Sequence, residues 1–418
     1  MKISISLLAV LLLLSSGLTG QSKQLKKAAK LFKAHQYTEA ARYYESALEA
    51  EDNDAVRAKL AYCYLQNNRT ERAEELLSEV VTARRVRSEN VFLYAETLRA
   101  NGKYEAARQQ YLKYNDLEPG DEQTALALSA LETIQRIEPL FGGALVTPFS
   151  QNTKADDSTP IRYGGRVYFS SDRSPGAKML KQKSGWTGRD FLRIYVADAL
   201  PGGGFEDARE IDRLNELNKH VGNPTLTADG NTIYFTKNNH RSGRGGMLNM
   251  ALYVAHRNPG GDWGKAEPLP FCSPEFNFMH PAVSPDGKFL FFTSDKSRSI
   301  GGTDIWWVKK KRDGSWGRSQ NLGTLVNTVA NEGYPFFDAH GRLYFCSKGH
   351  PGYGGFDIFE ARRDADGNWL APVNLGEPIN SSRDDISFFL NEDARSGMFS
   401  SSRGGEDDDI YLFELPAQ

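Results

Sequence analysis

Cysteine is scarce in this chain: 418 residues hold three, Cys63, Cys272 and Cys346, far apart and with no CxxC spacing. An odd, dispersed set argues against a disulfide framework and against a cysteine-based zinc site, and the three read as buried small hydrophobes. Charge of one sign is equally thin, since 51 Lys and Arg stand against 53 Asp and Glu, a net of −2. Nucleic-acid proteins carry a clustered basic surplus that displaces counterions from phosphates, so no nucleic-acid partner is expected. Long apolar runs are also missing: only Ile3 to Leu14 stands out, about a dozen residues where a bilayer span needs roughly 20. With 39% hydrophobic residues, the chain otherwise has the composition of ordinary globular protein, and its length suggests two or three domains.

The first residues read as an address. Met1-Lys2 supplies positive charge, Ile3 to Leu14 the apolar run, and Ser15 to Gly20 a small, polar approach to cleavage near Gly20-Gln21. That layout predicts a secretory signal peptide over residues 1–20. No Cys follows the run to accept a lipid, so the mature chain is expected to be soluble and exported, in the periplasm or at the periplasmic face of the outer membrane.

Between Ser22 and Glu138 proline is almost absent, and Ala, Leu, Glu, Lys and Arg recur at helical spacing. In Gly102 to Pro119, GKYEAARQQYLKYNDLEP, Gly102 allows a sharp turn between two helices, Tyr104 and Ala107 open the second helix, and Pro119 stops it. The string from His35 repeats it with Ala40, Tyr44 and Ala47, and a weaker copy from Asn67 carries Ala73. Ala40, Ala73 and Ala107 therefore serve as register marks at an almost constant interval, and the pattern resembles the tetratricopeptide repeat. It predicts three helix pairs over residues 21–138, with Ala28, Ala61 and Ala95 facing the close crossings and a fourth stretch, Asp121 to Ile137, capping the stack through Ala125, Leu128, Leu131 and Ile134. The family register implies a concave groove that takes a peptide or partner helix, and places Leu25, Tyr62, Phe92, Glu96 and Arg99 along it.

From Pro139 the composition turns to Gly, aromatic and β-branched residues with DG, GG and NP turn signals. YFSSDR (Tyr168 to Arg173) recurs as YFTKNN from Tyr234, FFTSDK from Phe291, YFCSKG from Tyr344 and MFSSSR from Met398, a second and longer period. Each copy continues into a third strand, such as DIWWVKK from Asp304, and four add a Trp- or Phe-led fourth strand. Repeated four-stranded sheets predict a β-propeller over residues 139–418, with five blades or, alternatively, six. The fifth copy lacks its fourth strand, and Gly143 to Ser158 resembles the missing segment. The ring is therefore expected to close by pairing the two ends of the domain in one blade, with Phe169, Phe235, Phe292 and Phe345 buried.

SPDGKFLFFTSDKSRSIGGTDIWWV, Ser284 to Val308, resembles the PD40 repeat of the TolB-like, WD40-like propellers. The order signal peptide, tetratricopeptide repeats, PD40 propeller is similar to the front of PorE-type components of the type IX secretion apparatus. Those proteins carry further domains ending in an OmpA-like module that grips peptidoglycan, whereas this sequence stops at Gln418 after the last blade. Direct anchoring to peptidoglycan is accordingly not expected.

Chemistry is hard to find along the chain. No GxSxG elbow, HExxH or paired-His spacing occurs. Ser284 to Gly287 shares only the first residues of a sialidase box, and a DG turn explains it. The acidic runs Asp384-Asp385 and Glu406 to Asp409 lack calcium-loop spacing and read as solvated loop carboxylates. His220, His240, His280 and His350 read as surface or turn residues. No catalytic, metal or cofactor residue is therefore named, and the chain is read as a non-enzymatic envelope scaffold. Envelope proteins would be bound by the groove and by a propeller face, with a glycan or a peptidoglycan-associated molecule as a further partner. The alternatives are a propeller hydrolase or lyase acting on polysaccharide and a carbohydrate-binding module.

Overall fold

The computed structural model describes residues 23–174, 182–243 and 248–417. The signal-peptide reading of residues 1–20 lies outside them. No described helix is long and apolar enough to cross a membrane. The chain forms helical repeats followed by a five-bladed propeller, in two compact units, and each is described on its own.

The first unit holds residues 23–98, Glu105–Leu117 and Lys183–Arg189. Its helices are α1 (23–33), α2 (Tyr37–Ala50), α3 (Asp54–Leu65), α4 (Thr70–Val80), most of α5 (Ser88–Ala100) and most of α6 (Tyr104–Leu117). Paired helices can approach closely only where side chains are small. Ala28, Ala61 and Ala95 on the first helices, and Ala40, Ala73 and Ala107 on the second, are all fully buried. The corners repeat as well: His35, Asn68 and Gly102 each take a left-handed backbone (φ 56°, 55° and 71°) one repeat apart, which ends one helix and starts the next. Asn53 caps α3 by accepting the N–H groups of Ala55 and Val56 at 3.0 and 3.2 Å. Trp186, from the 183–189 segment, completes this unit. Its ring stacks on His35 (5.8 Å between centroids, 7°) and meets Tyr37 edge-on at 4.9 Å, and its Nε1–H donates to the Gln66 carbonyl at 3.0 Å.

The second unit holds Arg99–Tyr104 and the described residues among 118–182 and 190–417. It includes α7 (Glu122–Thr133). Thr124, Ala127 and Ala130 form its buried face while Ala125 is exposed, and Gln123 donates to the carbonyl of Val329 at 3.3 Å.

Four blades are consecutive antiparallel sheets: β2–β5 (Asp157–Tyr163, Arg166–Ser171, Arg193–Asp198, Arg209–Glu210), β6–β9 (Val221–Leu226, Thr232–Asn238, Met250–His256, Glu267–Pro268), β10–β13 (Phe278–Val283, Phe289–Ser294, Asp304–Lys309, Gln320–Asn321) and β14–β17 (Glu332–Phe337, Leu343–Ser347, Asp357–Ala361, Val373–Asn374). The fifth joins β18 (Asp385–Leu390), β19 (Ser396–Ser401) and β20 (Asp409–Glu414) to β1 (Leu145–Pro148), with Leu145 opposite Glu414 and Pro148 opposite Tyr411. The expected closure by the two ends is what the fold adopts. Phe169, Phe235, Phe292, Phe345 and Phe399 on the second strands are all fully buried, and each such ring contributes about 1.5–3 kcal/mol on leaving water.

Blades are fastened to one another by polar devices that recur at the blade period. Every first strand carries a bulge whose central residue is left-handed: Thr159, Asn223, His280, Tyr334 and Ser387, with φ between 49° and 56°. That conformation costs about 1–3 kcal/mol at a non-glycine residue. It is offset by aiming the residue's N–H at the preceding blade: Asn223 donates to Ser170 Oγ (2.8 Å), His280 to Thr236 Oγ1 (3.0 Å) and Thr159 to Ser400 Oγ (2.9 Å). Four of the five bulges continue with Pro, which has no N–H to leave unpaired.

A second set of latches sits just before each first strand. His220 Nδ1 and the side-chain oxygens of Asn277, Asn331, Asp384 and Asp156 accept the N–H groups of Leu192, Met250, Thr303, Phe356 and Asp408, at 2.7–3.2 Å. Inside the blades, Asn152, Asn215, Asn327 and Asn380 each bond both the N–H and the carbonyl of a third-strand isoleucine, Ile410, Ile194, Ile305 and Ile358. A side-chain amide thus stands in for strand pairing.

Candidate functional site

A hollow on the helical unit lies along its first helices. It is a cavity of about 470 Å³ lined by Phe32 of α1, Ala55, Ala58, Lys59 and Tyr62 of α3, Val80, Ala83 and residues 85–87 after α4, and Glu89, Asn90, Phe92 and Leu93 of α5. Small residues make the space, since Ala55 and Ala58 stand where longer side chains would fill it. Aromatic rings make the floor: Phe32 packs on Tyr62 at 5.3 Å and Phe92 on Tyr114 at 5.1 Å. The volume falls within the roughly 300–1,000 Å³ range of ligand pockets.

Of the five groove residues read from the register, Tyr62 and Phe92 line this cavity. Leu25 is half-buried and packs on the helical core, and Glu96 is half-buried and accepts the Tyr111 hydroxyl. Arg99 is buried, and its charge opposes the rise of the Asp357 pKa. Lys59 and the Arg-rich loop after α4 also line the groove without being marked by the repeat register, although the string ARRVR, 83–87, is their signal.

In the propeller, the bulge residues and their neighbours, including His280, Pro281, Tyr334, Pro335 and Phe388, line a hollow of about 50 Å³, space for a few waters. Around one end of the blades runs a row of buried carboxylates. Asp157 and Asp385, both fully buried, are each met at 2.6 Å by an arginine from the end of the second strand, Arg173 and Arg403, whose guanidinium also covers Phe169 or Phe399. In the fourth blade no arginine arrives. Glu332 instead accepts Thr328 N–H (2.8 Å), Thr328 Oγ1 (2.7 Å) and Ser347 Oγ (2.8 Å), and burial pushes it up to about 7 despite these bonds. Asp357 accepts the N–H groups of Tyr353 and Gly354 at 3.1 Å and is pushed up to about 7, again by burial.

These contacts correct the reading of Asp384-Asp385 as solvated: one latches a neighbouring blade and the other is a buried ion-pair member. His220 and His280 are half-buried, and burial lowers their pKa values to about 4 and about 3. Cys63 and Cys346 are buried as expected and Cys272 is half-buried; all three are free thiols. Among the described residues no cluster of His, Cys, Asp and Glu could hold a metal ion.

Residues 31–91 match the tetratricopeptide repeat family model. No curated protein matches the chain. The second tetratricopeptide domain of human RPAP3, solved with an HSP70 peptide, is 23% identical, covering 27% of this chain and 98% of its own, with a TM-score of 0.25. An α-L-arabinofuranosidase from Lactobacillus brevis is 14% identical over 63% of this chain and 92% of its own (TM-score 0.42), and a GH43_1 enzyme from Xanthomonas citri is 16% identical over 69% and 94% (TM-score 0.43). The expectation of a non-enzymatic chain is corrected here. The solved structures similar to the propeller include arabinofuranosidases and xylosidases, and a missing sequence motif gave no ground for excluding catalysis.

Proposed function

We propose that this protein is an exported interaction scaffold of the bacterial envelope, whose helical groove holds a segment of a partner protein while the propeller presents a second face. The observation that carries this reading is the hollow of about 470 Å³ over aromatic rings on the helices. Tetratricopeptide repeats mediate protein–protein interaction, and groove recognition by stacked helix pairs uses such a concave surface. Export rests on the charged, apolar and small-residue order of residues 1–20. Placement beside the outer membrane, in an assembly like that of PorE-type proteins, rests on the order of the repeats.

The test is crosslinking and affinity purification of the full chain from intact cells, compared with an Ala55→Trp variant. Ala55 is exposed and lines the groove, so tryptophan there fills the hollow without entering the core. Envelope proteins that co-purify with the parent chain and not with the variant support the scaffold. Undiminished recovery with the variant, or turnover of envelope polysaccharide by the purified chain without any protein partner, overturns it.

A further inference from the structure

The groove's charge is as particular as its shape. Lys59, Arg85 and Arg87 stand on its rim, all three exposed. Among the described residues none of them meets a carboxylate within ion-pair distance, whereas nearby Arg57 is held by Asp52, Asp54 and Glu79. Asp54 also lines the hollow, but Arg57 engages it at 2.7 Å. Among the described residues Glu89 is then the remaining lining carboxylate, set against three free cations, and Arg84 adds a further exposed positive charge beside them.

The floor beneath this rim is apolar, built by Phe32, Tyr62, Val80, Val86, Phe92 and Leu93. A concave wall of low dielectric focuses the field of such charges and favours one sign of ligand. We infer that the groove selects an acidic peptide segment carrying one bulky apolar side chain, the side chain entering the aromatic floor and the flanking carboxylates meeting Lys59, Arg85 and Arg87. The inference rests on the groove being the partner site and adds the chemistry of the partner. Basic or neutral segments would leave the rim cations unanswered while still displacing their water.

A library of displayed random peptides panned against the full chain tests it. Enriched sequences are expected to carry Asp or Glu beside an aromatic residue or leucine. A labelled peptide of that sequence, measured by fluorescence anisotropy, should lose about tenfold or more in affinity to Lys59→Glu/Arg85→Glu/Arg87→Glu, and should weaken as salt rises. Arg42→Glu/Arg108→Glu, at exposed cations away from the lining, should leave it unchanged. All these side chains are exposed, and circular dichroism checks that the variants fold. If neutral or basic peptides are enriched and depend on Ala55 but not on the three cations, the groove binds and the charge inference falls. If no enriched peptide is sensitive to Ala55→Trp, both the inference and the groove reading fall.

Discussion

The imidazole of His280 lies 3.7 Å from the ring of Tyr334, nearly parallel at 13°, and its Nδ1 accepts the Tyr334 N–H at 3.3 Å. At the bulges of Thr159, Asn223 and His280 itself, a second-strand hydroxyl of the preceding blade plays this part. Here the corresponding hydroxyl, Thr293 Oγ1, is buried without a partner. The histidine has taken over a link of the inter-blade belt, and a titratable group now holds the third blade to the fourth.

His280→Asn should therefore change the acid response of the propeller. Burial lowers the His280 pKa to about 3, below its ordinary 6.5, so the folded state holds the neutral ring. Its stabilisation is complete above the unfolded pKa of about 6.5 and is lost as pH falls towards 3; His220, at about 4, adds to the same window. Asparagine tolerates the left-handed backbone, as Asn223 does in the second blade. The variant should melt lower than the parent at pH 8, having lost the stack, but show a shallower fall in Tm between pH 6.5 and pH 4. An unchanged slope would sink the assignment.

Glu332 runs the other way. Its folded pKa is raised to about 7 from 4.5, so the folded state favours the protonated form. The stabilisation is full below about pH 4.5 and is lost as pH rises through 7. Glu332→Gln keeps the size and an accepting oxygen. Urea unfolding should find the variant's stability relative to the parent improving from pH 5 to pH 8, and a constant difference would count against it.

Removing Arg403 strands a buried charge. Arg403→Met leaves Asp385 without its 2.6 Å partner, and the cost should reach about 3 kcal/mol. Adding Asp385→Asn to the same chain should restore much of that loss, because the uncompensated carboxylate is then gone. Chemical denaturation of the single and double variants measures both. Equal stability of the two would show that the arginine acts through its other contacts, the carbonyls of Pro378 and Ile379 and the Phe399 ring.

Asn380 makes three hydrogen bonds, to the Ile358 N–H and carbonyl at 2.8 and 2.9 Å and to Asn374 at 2.7 Å. Asn380→Ala exposes none of these groups to water, since the site is buried, and should cost about 1–3 kcal/mol for the backbone groups left unpaired. Hydrogen exchange at the Ile358 amide, fast in the variant and slow in the parent, would locate the effect. Slow exchange in both would mean that another group replaces the clamp.

Period and small residues make the architecture readable: Ala40, Ala73 and Ala107, one repeat apart, mark the helix crossings, and recurring YFSS-type strands mark the blades. The closing strand is readable because Gly143 to Ser158 resembles a fourth-strand segment. The latches are not, although His220, Asn277, Asn331, Asp384 and Asp156 occupy one repeated position. Their common property is an acceptor atom, which imidazole, amide and carboxylate all supply, so no single residue type marks it.

The pairing of Leu145 with Glu414 joins the two ends of the propeller, so nearly the whole domain lies in the loop it closes. Closing so long a loop costs only roughly 0.6 kcal/mol more than closing one half its length, so the burden falls on the timetable of folding rather than on the depth of the native well. Until the last strand arrives, the earlier blades form an open arc with unpaired strand edges at both tips, a form prone to pairing with other chains. The pairing of β1 with β20 removes both edges at once, and a delay in it would be felt first as aggregation.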